Sequence, residues 1–319
     1  MEFMERNPLV TIVLCTYNRA ELLKEAMPSI LAQQYEPVEI IVFDDGSTDN
    51  TKEVAASYGD RVTYYRQENK GLAAARTVAC GLAKGEYIAF QDDDDIMPAD
   101  RISKLYEALC KYPKAVLATG DWEMLNAEGV HTGERVTFDI EGKNGRPLFI
   151  EDGYKTVMWP LITPLPNATL FRKADGERIG WLDTRFTRSS DTDFFARLGQ
   201  LGGIVYVPQV VAYYRSGHAR MWSDDVKNGM ICEYSSLLLY EKHLKSLVQG
   251  RLELKMRLQD RLLSTLKRLS FLDNLNTDEP DLLYADYRRR GLSLLGIKER
   301  LRYNWYVDVR LPLKSLIKR

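Results

Sequence analysis

A chain of 319 residues, 45% hydrophobic and 28% charged, has the make-up of a globular protein with room for one large domain or two ordinary ones. Its net charge of −1 excludes a global attraction to nucleic acid. No apolar run reaches membrane-spanning length, and the short stretch Leu9–Cys15 leads into Thr-Tyr-Asn rather than a cleavage site, which points to a cytoplasmic protein that at most lies on a membrane surface.

The predicted elements alternate. Val10–Cys15 is a continuous apolar run, as in a strand covered on both faces. Leu22, Leu23, Ala26, Ile30 and Leu31 follow at helical spacing. Val38–Phe43 is the next strand and ends at Asp44-Asp45-Gly46-Ser47, with Thr48 or Asp49 placed to cap a helix running to about Ser57. A short strand over Val62–Tyr65, an Ala-rich helix over Gly71–Ala83 and a strand over Glu86–Phe90 come next. A helix over Pro98–Lys111 and a strand over Ala115–Thr119 complete this part. The alternation predicts a mostly parallel, helix-covered sheet, in which ligands lie beyond the carboxyl ends of the strands. From Asp121 to Arg188 the pattern loosens into loops and short strands, with Pro147, Pro160, Pro164 and Pro166, a region suited to shaping a substrate pocket. A helix over Asp191–Leu201, a strand over Gly203–Val207 and a helical stretch from Asp224 close the chain. Cys15, Cys80, Cys110 and Cys232 lack C-x-x-C spacing and suit a reducing compartment. His131, His218 and His243 stand far apart, which argues against a histidine-based zinc site.

Three predicted strand ends carry polar motifs: Thr16-Tyr17-Asn18, Asp44-Asp45-Gly46-Ser47, and the run Asp92-Asp93-Asp94-Asp95. Four like charges at one strand end repel each other, and a hard divalent cation, Mg²⁺ or Mn²⁺, would neutralise them. Standing alone, such a run is more often a solvated turn. The other motifs have plain readings too: a loop aromatic for Tyr17, a turn with a helix cap for Asp44-Asp45, a surface arginine for Arg76 and a helix cap for Asp191.

In order and spacing, Thr11–Arg19, Ile40–Asp49, Asn69–Arg76 with Gly85–Asp95, and Ser189–Leu198 resemble the family 2 inverting glycosyltransferases with the GT-A fold, over about residues 8–222. The resemblance implies an α/β GT-A fold as residues 1–222; beyond it, the helical pattern rich in Leu, Lys and Arg makes residues 223–319 a helical extension. It implies a nucleotide-sugar donor, a UDP-sugar first, whose base meets Tyr17, flanked by Thr16 and Asn18, and gives its N–H to Asp45. It places Arg76 on the diphosphate, Asp94 as main ligand of Mn²⁺ or Mg²⁺, and Asp92 and Asp93 near ribose and metal. Asp191 is then the base that takes the acceptor's proton, and His218 closes over the diphosphate or metal, with a loop histidine as the alternative. The sequence departs from the family at Ser190, where a glutamate is usual, at Thr77, where asparagine is, and at Pro98, one residue early. The acceptor implied is a glycan or lipid-linked hydroxyl, in cell-envelope polysaccharide or glycolipid synthesis. A nucleotidyltransferase, or a non-catalytic nucleotide-sugar-binding module, are the competing classes.

Residues 288–319 hold ten Lys or Arg against Glu299 and Asp308, a balance of +8, interleaved with Leu, Trp305 and Tyr306. That composition suits an anionic membrane surface, or else a helix with a basic outer face packed on the protein.

Overall fold

The computed structural model describes residues 7–140, 144–159, 161–217, 226–246, 251–275, 289, 291–295 and 303. The chain forms two compact units, one of residues 1–184 and 190–218, the other of 185–189 and 219–319.

The first unit begins with β1 (Val10–Thr16), α1 (Ala20–Leu31), β2 (Val38–Asp44), α2 (Thr51–Ala56), β3 (Thr63–Arg66), α3 (Leu72–Leu82), β4 (Tyr87–Asp92) and α4 (Arg101–Lys111). β1 is buried along its whole length, as its unbroken apolar run requires. It pairs in parallel with β2 on one side and β4 on the other, and β2 pairs in parallel with β3. The registers set Thr16 opposite Asp44 and Cys15 opposite Asp92, so three polar strand ends stand side by side. Ile12, Leu14, Leu23, Met27, Val42, Ile102 and Leu105 share one apolar core that holds these strands under their helices. Each such side chain, fully buried, contributes about 1.5–3 kcal/mol relative to exposure.

The predicted cap of α2 takes a different form. The helix starts at Thr51, one residue after Asn50, and Thr48 does not cap it. Asp49 Oδ1 accepts the N–H (3.1 Å) and hydroxyl (2.6 Å) of Thr51, while its Oδ2 accepts the N–H of Ala20 at the start of α1 (3.0 Å). One carboxylate thus serves two helix N-termini, where negative charge is favoured.

The irregular middle is more ordered than its sequence pattern predicts. β5 (Ala115–Leu125) runs well past Thr119 and pairs antiparallel with β6 (His131–Val136). β7 (Leu148–Ile150), α5 (Gly153–Met158), β8 (Thr169–Arg172) and α6 (Lys173–Ile179) follow, then α7 (Ser190–Gly199) and β9 (Gly203–Arg215). β8 is inserted antiparallel between β4 and β5, and the strand order is β3-β2-β1-β4-β8-β5-β9-β7. β9 continues past Val207 to Arg215: its register against β5 jumps from Val207 opposite Gly120 to Val210 opposite Asp121. Pro208 and Gln209 are left outside the ladder, as a proline in a strand demands. Phe90, Phe171, Phe194 and Phe195 pack ring against ring, tying α7 to β4 and β8.

The second unit is built on α8 (Val226–Ser246) and α9 (Leu252–Leu275). Leu237, Leu262, Leu263, Leu266 and Leu269 form its core together with Leu295 and Tyr303. Two residues of the basic C-terminal segment are therefore interior. Most of that segment lies outside the described residues.

Candidate active site

The loop after β1 is pinned to the loop after β2. Asn18 adopts a left-handed backbone (φ 52°), and its Oδ1 accepts the N–H of Thr48 at 2.7 Å. Its own N–H donates to Ser47 Oγ at 2.9 Å. Beside these contacts Tyr17 is left 37% exposed. Asp44 Oδ1 accepts the N–H groups of Gly46 (3.1 Å) and Ser47 (2.7 Å), and its Oδ2 accepts the Tyr64 hydroxyl (2.6 Å). Asp45 is buried. Its Oδ1 accepts from the Gln67 amide (2.6 Å) and the Lys70 N–H (3.0 Å), and its Oδ2 from the Gly71 N–H (2.8 Å). Only glycine serves at position 46: its φ is +95°, and a Cβ would stand 2.8 Å from the Asn69 backbone nitrogen.

The four aspartates after β4 diverge, each to its own partners. Asp92 pairs with the Arg76 guanidinium, which is buried and packs over the Phe90 ring at 5.2 Å. Asp93 takes the Thr16 hydroxyl on Oδ2 (2.7 Å) and Arg19 Nη1 on Oδ1 (3.0 Å). Asp94 Oδ2 takes the same Arg19 nitrogen at 2.7 Å. Asp95 points inward, accepting the Asn167 side-chain amide and the N–H of Arg215 (2.7 Å). Arg215 also donates from Nε to the Asp94 carbonyl (2.9 Å) and from Nη2 to Glu25 (2.8 Å), so β9 holds the backbone of the acidic loop. Beneath it the fully buried Arg101 donates to Gln91 Oε1 (2.8 Å) and to the carbonyls of Phe90 (2.7 Å) and Thr169 (3.1 Å).

Charge crowding is real at this edge. Burial pushes the Asp93 carboxyl up to about 7, with the Asp94 charge adding to it against Arg19 and Thr16. Burial also raises Asp92, opposed by Arg76 and reinforced by Asp94 and Asp191. Asp95 is raised well above the ordinary range, again chiefly by burial. Burial alone would lower Arg76, but the carboxylates facing it, Asp92 first and Asp191 as well, lift Arg76 above its ordinary value.

Asp191 stands in the first turn of α7, half-buried, its Oδ1 accepting the N–H of Thr192 at 2.7 Å. Its charge is felt by both Arg76 and Asp92. Asp193, two positions on, is instead fully buried and bound to Arg197 Nε at 2.8 Å. Arg197 in turn donates to the carbonyls of Ile179 (2.7 Å) and Trp181 (2.6 Å), which fixes the segment that precedes α7.

The structure thus brings Thr16, Tyr17, Asn18, Asp45, Arg76, Asp92, Asp93, Asp94 and Asp191 to one edge of the sheet. Arg76 differs from its expected posture, being enclosed and committed to Asp92. His218 lies outside the described residues. Sequence reasoning passed over Arg19, Gln67, Asn167 and Arg215. Arg19 and Arg215 each adjoin a motif, and a count of the cations needed to offset the acidic run would have singled them out. Among the described residues no three acidic, histidine or cysteine side chains already converge as a metal cage.

Residues 11–154 match the protein family described as Glycosyl transferase family 2. The chain is 32% identical over 147 residues to Bacillus subtilis (strain 168) TuaG, a glycosyltransferase provisionally assigned to teichuronic acid biosynthesis, covering 43% of this chain and 58% of TuaG. Of the first curated relatives it matches, the chain spans only 20–38% of their length. S. aureus TarS 1–349, solved in complex with UDP-GlcNAc, superposes with a TM-score of 0.59 at 15% identity, over 93% of this chain and 91% of that one. Mannosyltransferase PcManGT from Pyrobaculum calidifontis, in complex with GDP-Man and Mn²⁺, superposes at 0.57 with 18% identity, over 98% and 87%. At such identities the likeness is one of fold, and it is the GT-A-like α/β fold expected from the motifs.

Proposed function

From the premise that residues 11–154 form a glycosyl transferase family 2 domain, we propose that this chain moves a sugar from a nucleotide-sugar, a UDP-sugar first, to an acceptor hydroxyl with inversion. The observation that carries the reading is the convergence at three adjacent strand ends. Tyr17, Asp45 and the Asp92–Asp94 run share one edge, and Asp191, from far along the chain, lies within electrostatic reach of Asp92.

Each residue has a task its surroundings suit. The exposed face of Tyr17 offers a stacking surface to a planar base. Asp45 already accepts three hydrogen bonds, and a carboxylate has about four acceptor positions, so one remains for a base N–H. That acceptor favours uracil over a base without the matching donor. Arg76 acts by holding Asp92 in place. Asp191 takes the proton of the attacking hydroxyl, on the face of the sugar opposite the leaving diphosphate.

A divalent cation fits this edge on the chemistry of its donors. Asp92 and Asp94 keep side chains 30% and 18% exposed, present hard oxygen atoms, and repel each other across a partly desolvated gap. Asp94, with Asp92, would hold Mn²⁺ or Mg²⁺. Bound there, the ion supplies charge stabilisation to the departing nucleoside diphosphate. The reading is supported by the ligands of the fold neighbours, UDP-GlcNAc in TarS and GDP-Man with Mn²⁺ in PcManGT. The TuaG assignment supports an envelope glycan or its lipid-linked precursor as acceptor. The basic segment 288–319 would hold the enzyme near such an acceptor on an anionic membrane.

The test is a panel of UDP- and GDP-sugars, with and without Mn²⁺, read as release of nucleoside diphosphate. Release from a UDP-sugar, lost on chelation, is expected. No release, and no thermal stabilisation by any nucleotide-sugar, would reject the reading.

A further inference from the structure

We propose that Arg19 is a built-in counter-cation, which withholds Asp93 and Asp94 from a divalent ion until a nucleoside diphosphate gives its guanidinium another partner. The proposal rests on the donor-site reading above and adds to it an order of events.

Arg19 is the residue immediately before α1, so its backbone is fixed by the strand-to-helix turn. One nitrogen of its guanidinium lies 3.0 Å from Asp93 Oδ1 and 2.7 Å from Asp94 Oδ2. These are charge-assisted contacts of full strength. An ion binding Asp94 through the same oxygen would compete with that nitrogen and meet its positive charge at contact distance. Guanidinium and dication thus do the same electrostatic work, and the two are mutually exclusive on Oδ2.

The two site arginines differ in their freedom to let go. Arg76 has a side chain 5% exposed, stacked over Phe90 and enclosed by the charges of Asp92 and Asp191. Arg19 sits nearer the rim, 13% exposed, with Asp94 beside it at 18%. Moreover, Asp93 keeps a second donor in the Thr16 hydroxyl (2.7 Å), so it is not stranded when Arg19 leaves. A diphosphate is what a guanidinium of this kind prefers, since its planar fork matches phosphate oxygens. Nucleotide and metal would then bind with positive coupling, and by linkage each raises the other's affinity equally.

The experiment measures Mn²⁺ binding by the full chain from the paramagnetic resonance signal of free Mn²⁺, first with no nucleotide, then with UDP or GDP. Arg19→Gln and Arg19→Met, two neutral side chains of comparable reach, are used together so that misfolding of one leaves the other. Each is checked for a wild-type unfolding midpoint. Without nucleotide, the neutral variants should bind Mn²⁺ about tenfold more tightly than wild type, within the ordinary range of coupling. Arg19→Lys, which keeps the charge, should stay near wild type, and adding Asp94→Asn to Arg19→Gln should cancel the gain. If the neutral variants bind Mn²⁺ no better than wild type, while wild type takes up Mn²⁺ with UDP, the proposal falls and the donor-site reading stands. If Arg19→Lys binds as tightly as Arg19→Gln, charge is not the cause and the proposal falls. If no form binds Mn²⁺ with either nucleotide, the donor-site reading falls with it.

Discussion

The aspartates that follow β2 and those that follow β4 stand at neighbouring strand ends, yet different chemistry holds them. Asp44 and Asp45 accept from N–H groups of Gly46, Ser47, Lys70 and Gly71, from the Tyr64 hydroxyl and from the Gln67 amide, and the guanidinium beside them, that of exposed Arg66, stands at 3.6 Å from Asp44, beyond hydrogen-bond distance. Asp92, Asp93 and Asp94 are matched chiefly by the guanidinium groups of Arg76 and Arg19. Backbone donors are fixed by the fold and cannot be exchanged, so these contacts are architecture: they shape the turn, tie down the 67–71 loop and leave Asp45 one open acceptor position for a base N–H. An arginine contact can be traded for another cation or for a phosphate. The second group is therefore poised for a ligand, and burial, with the neighbouring Asp94 charge adding to it, pushes the Asp92 and Asp93 carboxyls upward.

Asp191→Asn probes the functional side of this contrast hardest. Turnover should fall about 10²–10⁴-fold, the usual effect of losing a general base, with UDP affinity nearly kept. Loss of UDP affinity with turnover intact would make Asp191 a binding residue.

Asp94→Asn comes next, because it lowers the charge of the acidic run and preserves its shape. Activity should drop about 10²–10³-fold, as for other losses of transition-state charge stabilisation, while the weakened Arg19 contact and the relief of repulsion among the acids offset each other, so that the unfolding free energy should move by no more than about 1 kcal/mol. A variant that is fully active in chelator would remove Asp94 from the machinery.

Asp44→Ala should show the reverse balance. It leaves two backbone N–H groups and the Tyr64 hydroxyl without their acceptor. Buried donors left unpaired cost about 1–3 kcal/mol each, so a loss near 3 kcal/mol is expected in urea unfolding. Unchanged stability would erase the distinction between the two acid groups.

The smallest effect concerns charge in the basic C-terminal segment. Lys314→Gln should weaken binding to anionic vesicles by about 1 kcal/mol, leave donor hydrolysis unchanged, and matter less as salt rises. No change at low salt would mean that the C-terminal bases do not bind a membrane surface; the interior positions of Leu295 and Tyr303 concern only apolar residues of that segment.

Much of the parallel half was legible in advance. Val10–Cys15 became Val10–Thr16, and Gly71–Ala83 became Leu72–Leu82. Continuous apolar runs and helical spacing are local signals, carried by residues that are neighbours in the chain. β8 gave no such signal: four residues, Thr169–Arg172, wedged antiparallel between β4 and β5. The far half of β9 was hidden by Pro208 and Gln209, which read as a break and are in fact a bulge opposite Gly120 and Asp121. Among the site residues, the three strand-end motifs could be read because their polarity interrupts an apolar run at a fixed place.

By itself, the sequence determined the strand ends, the acids placed on them and the order of the motifs, because each is written in a short stretch of chain. Only the tertiary structure decided which cation meets which acid. Arg19 with Asp93 and Asp94, Arg76 with Asp92, Arg215 behind Asp94 and Asp95, and Asp193 turned inward to Arg197 could not be sorted by spacing. The partner of a buried charge is set by which strands lie side by side and how far each side chain reaches across them, and that is a property of packing.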